Sequence, residues 1–118
     1  MGDDGKSHPT CSACGFVLWQ HPFPSVDALI VRRRSARVLL GRRSREPFEG
    51  TWDVPGGFLG LDDDPVEAVK RECLAEFNAS VRVERPIGAF LDHFGDQQLV
   101  TVFYACAMED DHFATTDR

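Results

Sequence analysis

The chain has 118 residues, which suffice for one domain with a hydrophobic core and are too few for two. Hydrophobic residues make up 42% and charged residues 27%, the balance of a soluble globular protein, and no apolar run approaches the roughly 20 residues of a membrane helix. The net charge of −6 argues against a general nucleic-acid binder, which needs an excess of Lys and Arg. Residues 1–10 lack the apolar segment of a signal peptide, so a cytoplasmic protein without nucleic-acid or membrane partners is expected.

Residues 1–21 are predicted to form a disordered leader and half of a zinc-ribbon-like segment. Cys11 and Cys14 make a Cys-x-x-Cys pair, the spacing of one zinc knuckle. A structural zinc needs four ligands, and no second Cys-x-x-Cys follows, so closure would require His8 and His21 or a second subunit. Bound zinc is therefore the minor alternative, and a metal-free knuckle is preferred.

The main domain is predicted to span residues 22–118 and to start at Pro22 and Pro24, which favour an extended backbone. Two short aliphatic runs follow, Val26 to Val31 and Val38 to Leu40. An Arg-Ser turn separates them, so they predict a β-hairpin.

Arginine is concentrated between the first strand and a brief strand expected at Thr51 to Val54. Most of these side chains are expected to be solvated around the hairpin, and one or two to face a polyphosphate, whose oxygens suit bidentate guanidinium donors. The stretch holds seven of the thirteen basic residues, namely Arg32, Arg33, Arg34, Arg37, Arg42, Arg43 and Arg45.

A loop feeding a helix follows at Gly56 and Gly57, glycines that permit positive φ and close backbone approach to a ligand. Asp62 to Asp64 offers N-cap candidates and Pro65 suits the first turn, so a helix is predicted to begin near Pro65. Asn78 tolerates the left-handed conformation and can close the last turn. The apolar side of the helix is predicted to face a core through Val66, Val69, Cys73 and Phe77.

On another side of this helix Glu72 and Glu76 stand four residues apart, so their carboxylates share a face. Like charges at this spacing repel by about 0.2–0.5 kcal/mol unless something bridges them. A divalent cation would remove the repulsion, and hard oxygen ligands suit Mg²⁺.

Beyond the helix the sequence predicts strands at Val81 to Val83 and Ile87 to Leu91. The run from Leu99 to Ala107 is nearly continuous apolar, which is typical of a central strand covered on both faces. A polar turn is predicted at Asp92, His93, Gly95 and Asp96. The phenylalanines of these strands, Phe90, Phe94 and Phe103, are expected in the core.

The stretch from Gly57 to Ala79 resembles, in register, the signature of the Nudix hydrolases: Gly, five residues, Glu, seven residues, then Arg-Glu-aliphatic-x-Glu-Glu-x-Gly-aliphatic. Upstream, Gly50 to Gly57 resembles the family's lead-in of Gly-x-Trp-x-aliphatic-Pro-Gly-Gly. The residues that match the signature outright are Gly57, Arg71, Glu72 and Glu76.

Three positions depart from the signature. Asp63 replaces the first Glu but keeps a carboxylate, and Asn78 replaces the Gly but keeps the geometry that ends the helix. Ala75 replaces the first Glu of the Glu-Glu pair, a group that in the family commonly ligates the metal. The resemblance therefore predicts a site with fewer anionic ligands than is usual.

The resemblance also implies a fold: a Nudix-like α/β/α sandwich around a mixed β-sheet, in the α/β class. The family's usual last helix would lie beyond Arg118, so the domain is expected to be shortened at its C-terminus, with that helix missing. The sheet face left bare would need another cover, and a homodimer is predicted.

The family hydrolyses a nucleoside diphosphate linked to another moiety, using Mg²⁺ or Mn²⁺, and the resemblance implies the same activity here. It implies Glu76 as principal metal ligand with the Gly57 carbonyl, and Glu72 as second ligand or base. Arg71 would orient Glu72, and Asp63 would assist. The expected partner is a nucleotide-type small molecule, either an ADP-ribose-like sugar or a nucleoside triphosphate. Two further hypotheses are a silent Nudix module that binds a nucleotide and a zinc-knuckle interaction domain.

Overall fold

The computed structural model describes residues 5–32, 37–46 and 48–109, which contain one helix and seven strands. In chain order the elements are β1 (Phe23–Arg32), β2 (Arg37–Val38), β3 (Gly41–Arg42), β4 (Trp52–Asp53), β5 (Gly56–Phe58), α1 (Pro65–Phe77), β6 (Val81–Phe94) and β7 (Gln97–Met108). None of the described residues forms a helix long and apolar enough to cross a membrane.

Five of the strands form one mixed sheet. Its main order is β2-β1-β7-β6, and β5 pairs antiparallel with the first half of β1. Strand β1 runs parallel to β7, whereas β6 runs antiparallel to β7. β3 and β4 form a separate two-stranded ribbon. The predicted α/β class with a mixed sheet is confirmed.

The apolar run from Leu99 to Ala107 lies within β7, between β1 and β6, so the prediction of a central strand is confirmed. The predicted hairpin is present as well, since Val31 pairs with Val38 in β1 and β2. Residues 33–36, where the Arg-Ser turn was predicted, lie outside the described residues.

The two strands predicted after the helix are one strand in the structure. β6 continues through both predicted segments, with pairing irregularities between Val83 and Arg85 and between Pro86 and Gly88. Because Pro86 has no N–H to donate to the ladder, a bulge beside it lets the strand continue without a break.

The polar turn is also shorter than predicted. Asp92 and His93 belong to β6, and the turn consists of Gly95 and Asp96, with Gly95 at φ 62°. A glycine at positive φ suits a tight hairpin connection. Asp92 and His93 are polar although they lie in a strand and not in the turn, and both line the cleft described below.

Helix α1 begins and ends where the sequence predicts. The Asp64 carboxylate accepts the N–H of Glu67 at 3.1 Å, and Pro65 follows in the first turn. Asn78 adopts φ 52° and donates its N–H to the Leu74 carbonyl at 3.0 Å. These local capping contacts need no tertiary partner, which is why the sequence alone reveals them.

The core lies between α1 and one face of the sheet. Val69, Cys73 and Phe77 are buried as predicted, but Val66 is 36% exposed and Ala68 is buried instead. Helical periodicity shows which side of the helix Val66 lies on. It does not show whether the sheet extends far enough along the helix axis to cover that residue. The sheet contributes Val26, Ala28, Ile30, Tyr104 and Cys106 to this core.

The opposite face of the sheet has no helix on it, because α1 is the one helix in the ranges described above. The second helical layer of the predicted sandwich is therefore not among those residues. Leu99, Thr101 and Ala107 on this face are nevertheless buried, and one end of the face contributes to the candidate site.

Candidate active site

Gly56 and Gly57 lie in strand β5 and not in a turn, and neither has positive φ. Close backbone approach to a ligand stays a prediction, and in the structure groups of the protein itself approach the two glycines closely. A Cβ at Gly56 would overlap the Asp27 carboxylate and the Val26 carbonyl, and a Cβ at Gly57 would lie 3.0 Å from Cδ of Glu72. Pairing with β1 gives both glycines an ordinary extended backbone. Their role is therefore to leave room for these neighbouring groups, and not to allow positive φ.

Glu72 and Glu76 reach the β5 backbone from α1. The N–H of Gly56 donates to Oε2 of Glu76 at 3.3 Å, and the Glu72 carboxylate lies against Gly57. Both glutamates are half-buried. The four-residue spacing places both carboxylates on one side of the helix, and packing of the helix on the sheet brings that side to β5.

Arg71 links the loop before the helix to this pair of carboxylates. Its guanidinium donates to both oxygens of Asp63, at 3.1 and 3.3 Å, and its Nη2 lies 3.6 Å from Oε1 of Glu72. Asp63 also accepts the N–H of Gly60 at 2.8 Å. The hydrogen bonds from Arg71 and then from Gly60 lower the pKa of Asp63, so this carboxylate stays ionised and holds Arg71 beside Glu72.

The donor set fits a hard divalent cation that also binds substrate. Mg²⁺ commonly takes one or two protein carboxylates and completes its octahedron with water and phosphate oxygens. Within the described ranges no group of three or more His, Cys, Asp or Glu is arranged to hold a metal. Ala75 is exposed on the helix and adds no oxygen ligand.

A cleft of about 620 Å³ opens at the two carboxylates. This volume is typical of small-molecule sites. Its polar lining includes Ser25, Asp27, Thr51, Asp53, Glu72, Glu76, Asp92, His93 and Thr101. Sequence reasoning missed Ser25, Asp27 and Thr101, because only the pairing of β1 with β7 and β5 brings them together in the cleft.

The cleft also has an aromatic side, which includes Phe94, a residue predicted from the sequence to lie in the core. Phe94 lines it and is half-buried, and Trp52 lines it with 66% of its surface exposed. The prediction that Phe90, Phe94 and Phe103 are core residues is wrong for Phe90, which is 52% exposed, and Phe94 and Phe103 are only half-buried. β6 is an edge strand, so its side chains are covered on fewer sides than those of β7.

Arg43 is the arginine of the basic stretch that lines the cleft among the described residues. Its Nη1 lies 3.5 Å from Oδ2 of Asp53, and its guanidinium carbon lies 5.3 Å from the centre of the Phe94 ring. Arg42 donates from Nε to the Gly50 carbonyl at 3.0 Å and so has a structural contact. Arg33 and Arg34 lie outside the described residues.

Cys11 and Cys14 lie on an exposed hairpin as free thiols. The Cys11 N–H donates to the Phe16 carbonyl at 2.7 Å, and the Gly15 N–H donates to the Cys11 carbonyl at 2.9 Å. Backbone hydrogen bonds from Cys14 and Ala13 lower the pKa of the Cys11 thiol. These hydrogen bonds close a tight turn around the Cys-x-x-Cys pair, the backbone shape of a zinc knuckle.

The two histidines proposed to complete a zinc site do not close around these thiols. Nδ1 of His8 accepts the N–H of Gln20 at 3.0 Å, and the His8 ring is 6.4 Å from that of His21, centre to centre. The described part of the chain assembles no cluster of three potential ligands here. The metal-free knuckle preferred from the sequence, with zinc at Cys11 and Cys14 as the minor alternative, stays a prediction.

A family model described as the NUDIX domain matches residues 21–118. The chain therefore belongs to the Nudix family, and the resemblance seen in the sequence is confirmed.

Two curated relatives are similar over 75 residues, 64% of this chain. The low-salt glycan biosynthesis protein Agl8 of Haloferax volcanii is 39% identical, and an ADP-ribose pyrophosphatase of Methanocaldococcus jannaschii is 33% identical. The matches cover 46% and 43% of those proteins, so the chain spans less than half the length of either relative.

Solved structures share the fold at low identity. A NUDIX hydrolase from Nitrosomonas europaea is 24% identical, with a TM-score of 0.76 over 93% of this chain and 61% of that one. The NUDIX domain of Shewanella oneidensis NrtR, complexed with ADP ribose, is 22% identical, with a TM-score of 0.67 over 84% of this chain and 71% of that one.

Proposed function

We propose that this domain hydrolyses the diphosphate linkage of a nucleoside diphosphate derivative with the help of Mg²⁺ or Mn²⁺. The observation that carries the proposal is the convergence of Glu72 and Glu76 on the backbone of Gly56 and Gly57, beside a cleft of nucleotide size. Membership of the Nudix family supports this class of reaction. The similarity to an ADP-ribose pyrophosphatase supports an ADP-ribose-like substrate, with nucleoside triphosphates as the alternative.

In this proposal each charged residue has a separate role. Glu76 is the principal metal ligand with the Gly57 carbonyl, and Glu72 is a second ligand or the base that takes a proton from the attacking water. When bound, the cation supplies Lewis-acid polarisation of the phosphate oxygens. Arg71, positioned by Asp63, restrains the Glu72 carboxylate and keeps it available to water.

The second candidate function is a silent Nudix module that binds a nucleotide as a sensor or partner. The observation that favours it is the short donor set: Ala75 supplies no ligand, and two carboxylates face the β5 backbone. Such a site would retain the cleft and its affinity for a nucleotide while lacking efficient turnover.

A substrate panel separates these functions. The protein is incubated with Mg²⁺ and with nucleoside diphosphate sugars, nucleoside triphosphates and dinucleotides, and phosphate-containing products are measured. Turnover of one class, dependent on the cation, supports the hydrolase. Calorimetric binding without turnover supports the silent module, and neither binding nor turnover contradicts both.

A homodimer belongs to the proposal as well. The sheet face opposite α1 has no helix among the described residues to cover it. Light scattering is expected to give the mass of a dimer, and a sharp monomer mass without binding of a hydrophobic dye would contradict it. The cytoplasmic location stays a prediction from the sequence.

A further inference from the structure

We infer that Cys11 and Cys14 form a dithiol–disulfide exchange site, which takes a small organic disulfide as its oxidant and closes to an internal Cys11–Cys14 disulfide. The inference goes beyond the proposed hydrolysis and is independent of it, because both cysteines lie outside the cleft lining. It gives a chemical role to a knuckle that holds no metal.

The backbone of the N-terminal hairpin holds the two cysteines at one turn. Thr10 and Val17 form a bridge between its arms, and the Leu18 N–H donates to the Pro9 carbonyl at 2.8 Å. Two backbone hydrogen bonds of Cys11, at 2.7 and 2.9 Å, close the tip. The cysteines are therefore held together before an oxidant arrives, so little further ordering is needed to join them.

The two sulfur atoms are in contact across this turn. The Cys14 thiol donates a hydrogen bond to the Cys11 sulfur, which also accepts the backbone N–H groups of Ala13 and Cys14. Each of these donors favours negative charge on the Cys11 sulfur, and the thiolate is the form of cysteine that attacks a disulfide. Cys11 is therefore the attacking residue, and Cys14 is the resolving residue within its reach.

Both thiols of this pair are open to a reagent from solvent. Cys11 and Cys14 are exposed, as are most residues of the segment 5–21. Cys73 and Cys106 differ in this respect, because both are fully buried in the core between α1 and the sheet. A small disulfide can thus reach the first pair in the folded protein, whereas the second pair is protected and serves as an internal reference.

The exchange proceeds in two steps. The Cys11 thiolate attacks one sulfur of a small disulfide, RS–SR, so that a Cys11–SR bond forms and one RS⁻ leaves. The Cys14 thiol loses its proton to solvent and attacks the Cys11 sulfur, so that the Cys11–Cys14 bond forms and the second RS⁻ leaves. The two released thiolates take up the two protons that the cysteines lost. Two thiols of the protein are thus oxidised by two electrons, and RS–SR is reduced to two RSH.

Zinc is the competing ligand for the same two thiols. A structural zinc takes four ligands, and the part of the chain that the structure describes gathers no group of three potential ligands here. Nδ1 of His8 already accepts the Gln20 N–H at 3.0 Å. Two thiolates would leave two positions of a tetrahedral ion to water, so the pair is expected to hold zinc weakly and to stay available for exchange.

The test places the full chain, first reduced and treated with a chelator, in mixtures of reduced and oxidised glutathione at neutral pH. Free thiols are trapped by rapid alkylation and counted by mass spectrometry. The parent is expected to lose both exposed thiols together, with less than about a tenth of the protein present as a mixed disulfide with glutathione. Separate mixed disulfides on Cys11 and Cys14, without the internal disulfide, would overturn the inference.

Single variants test the order of the two steps. Cys14→Ser is expected to accumulate the mixed disulfide on Cys11, because the resolving thiol is gone. Cys11→Ser is expected to react about tenfold more slowly, because the hydrogen bonds that favour a thiolate are accepted by the sulfur at position 11. Ser12→Ala, in the same turn, is the control and should behave as the parent. Equal rates for the two cysteine variants would overturn the assignment of Cys11 as the attacking residue.

A final arm adds equimolar zinc to the reduced parent before the glutathione mixture. Oxidation at the rate seen without zinc supports the exchange site. Protection of the two thiols by zinc would identify a metal-binding knuckle and overturn the inference. None of these measurements requires a nucleotide, so their outcome is separate from the test of the hydrolase.

Discussion

Arg71 donates two hydrogen bonds to the carboxylate of Asp63, at 3.1 and 3.3 Å, and so joins helix α1 to the loop that precedes it. The family signature has a glutamate where this chain has Asp63. The shorter carboxylate still reaches the arginine, because the N–H of Gly60 fixes it at 2.8 Å from the other side of the loop. The substitution thus keeps the ion pair that places Arg71 beside Glu72.

The first prediction concerns the titration of Asp63. Because its pKa in the folded state is lowered below the usual 3.8, the ion pair stabilises the fold above that pH. The stabilisation is lost as the pH falls below 3.8 through the lower folded-state value. An NMR titration of the Asp63 carboxyl should show the lowered pKa, and Arg71→Gln should raise it towards 3.8.

Arg82→Gln is the matched control for that titration. Arg82 is as exposed as Arg71, at 56% against 53%, and pairs with Glu84 at 3.4 Å. It should leave the pKa of Asp63 unaltered. A pKa of Asp63 that is equal in the parent and in Arg71→Gln would contradict the role assigned to the pair.

The boundaries of α1 could be predicted because their causes are local. Asp64, Pro65 and Asn78 each act on backbone groups within a few residues of themselves. The carboxylate face was predictable for the same reason, since helical spacing alone brings Glu72 and Glu76 together. That the two carboxylates lie beside Gly57 was predicted from the family resemblance, because helical periodicity does not show what a helix face contacts.

The places of Ser25, Thr101 and Phe94 in the cleft lining could not be predicted from such local causes. Ser25 and Thr101 lie 76 positions apart in the chain and meet because β1 pairs in parallel with β7. Phe94 looked like a core residue, since a strand pattern does not reveal whether the strand lies at the edge or the centre of a sheet. Such positions depend on the register of distant strands.

The second prediction tests the space at Gly57. Gly57→Ala would place a Cβ 3.0 Å from Cδ of Glu72, so the carboxylate must shift by a few tenths of an ångström. We expect Mn²⁺ affinity and turnover to fall about tenfold, because small displacements of a reacting group are costly. Gly60→Ala is the control, since its Cβ meets Asp63 at an ordinary 3.4 Å. Equal losses in both variants would contradict the account.

The third prediction restores a carboxylate at the position where the signature has one. Ala75→Glu should tighten Mg²⁺ or Mn²⁺ binding and raise hydrolysis, because an added oxygen ligand lies next to Glu76 on an exposed part of the helix. Calorimetry and product release measure both effects. Leu74→Glu adds the same charge at a neighbouring exposed position and should change neither. A silent parent with an active Ala75→Glu variant would identify a silenced hydrolase.

The fourth prediction concerns the four thiols. Cys11 and Cys14 are exposed, and the lowered pKa of Cys11 favours its reactive thiolate. Cys73 is buried, and its hydrogen bond with Cys106 together with burial raises its pKa. A thiol reagent at neutral pH should therefore modify two cysteines rapidly in the folded protein and four after denaturation. Rapid modification of Cys73 would contradict the core described above.

The most direct test of the proposed hydrolase is the turnover of Glu76→Gln measured beside Glu67→Gln. Glu67 lies exposed in the first turn of the same helix, outside the cleft lining, so it controls for loss of charge on α1. On the substrate that the panel selects, we predict parental turnover for Glu67→Gln, a loss of about 100-fold or more for Glu76→Gln, and no turnover once a chelator removes the cation. Full activity of Glu76→Gln, with unaltered dependence on the cation, would contradict the assignment of the site.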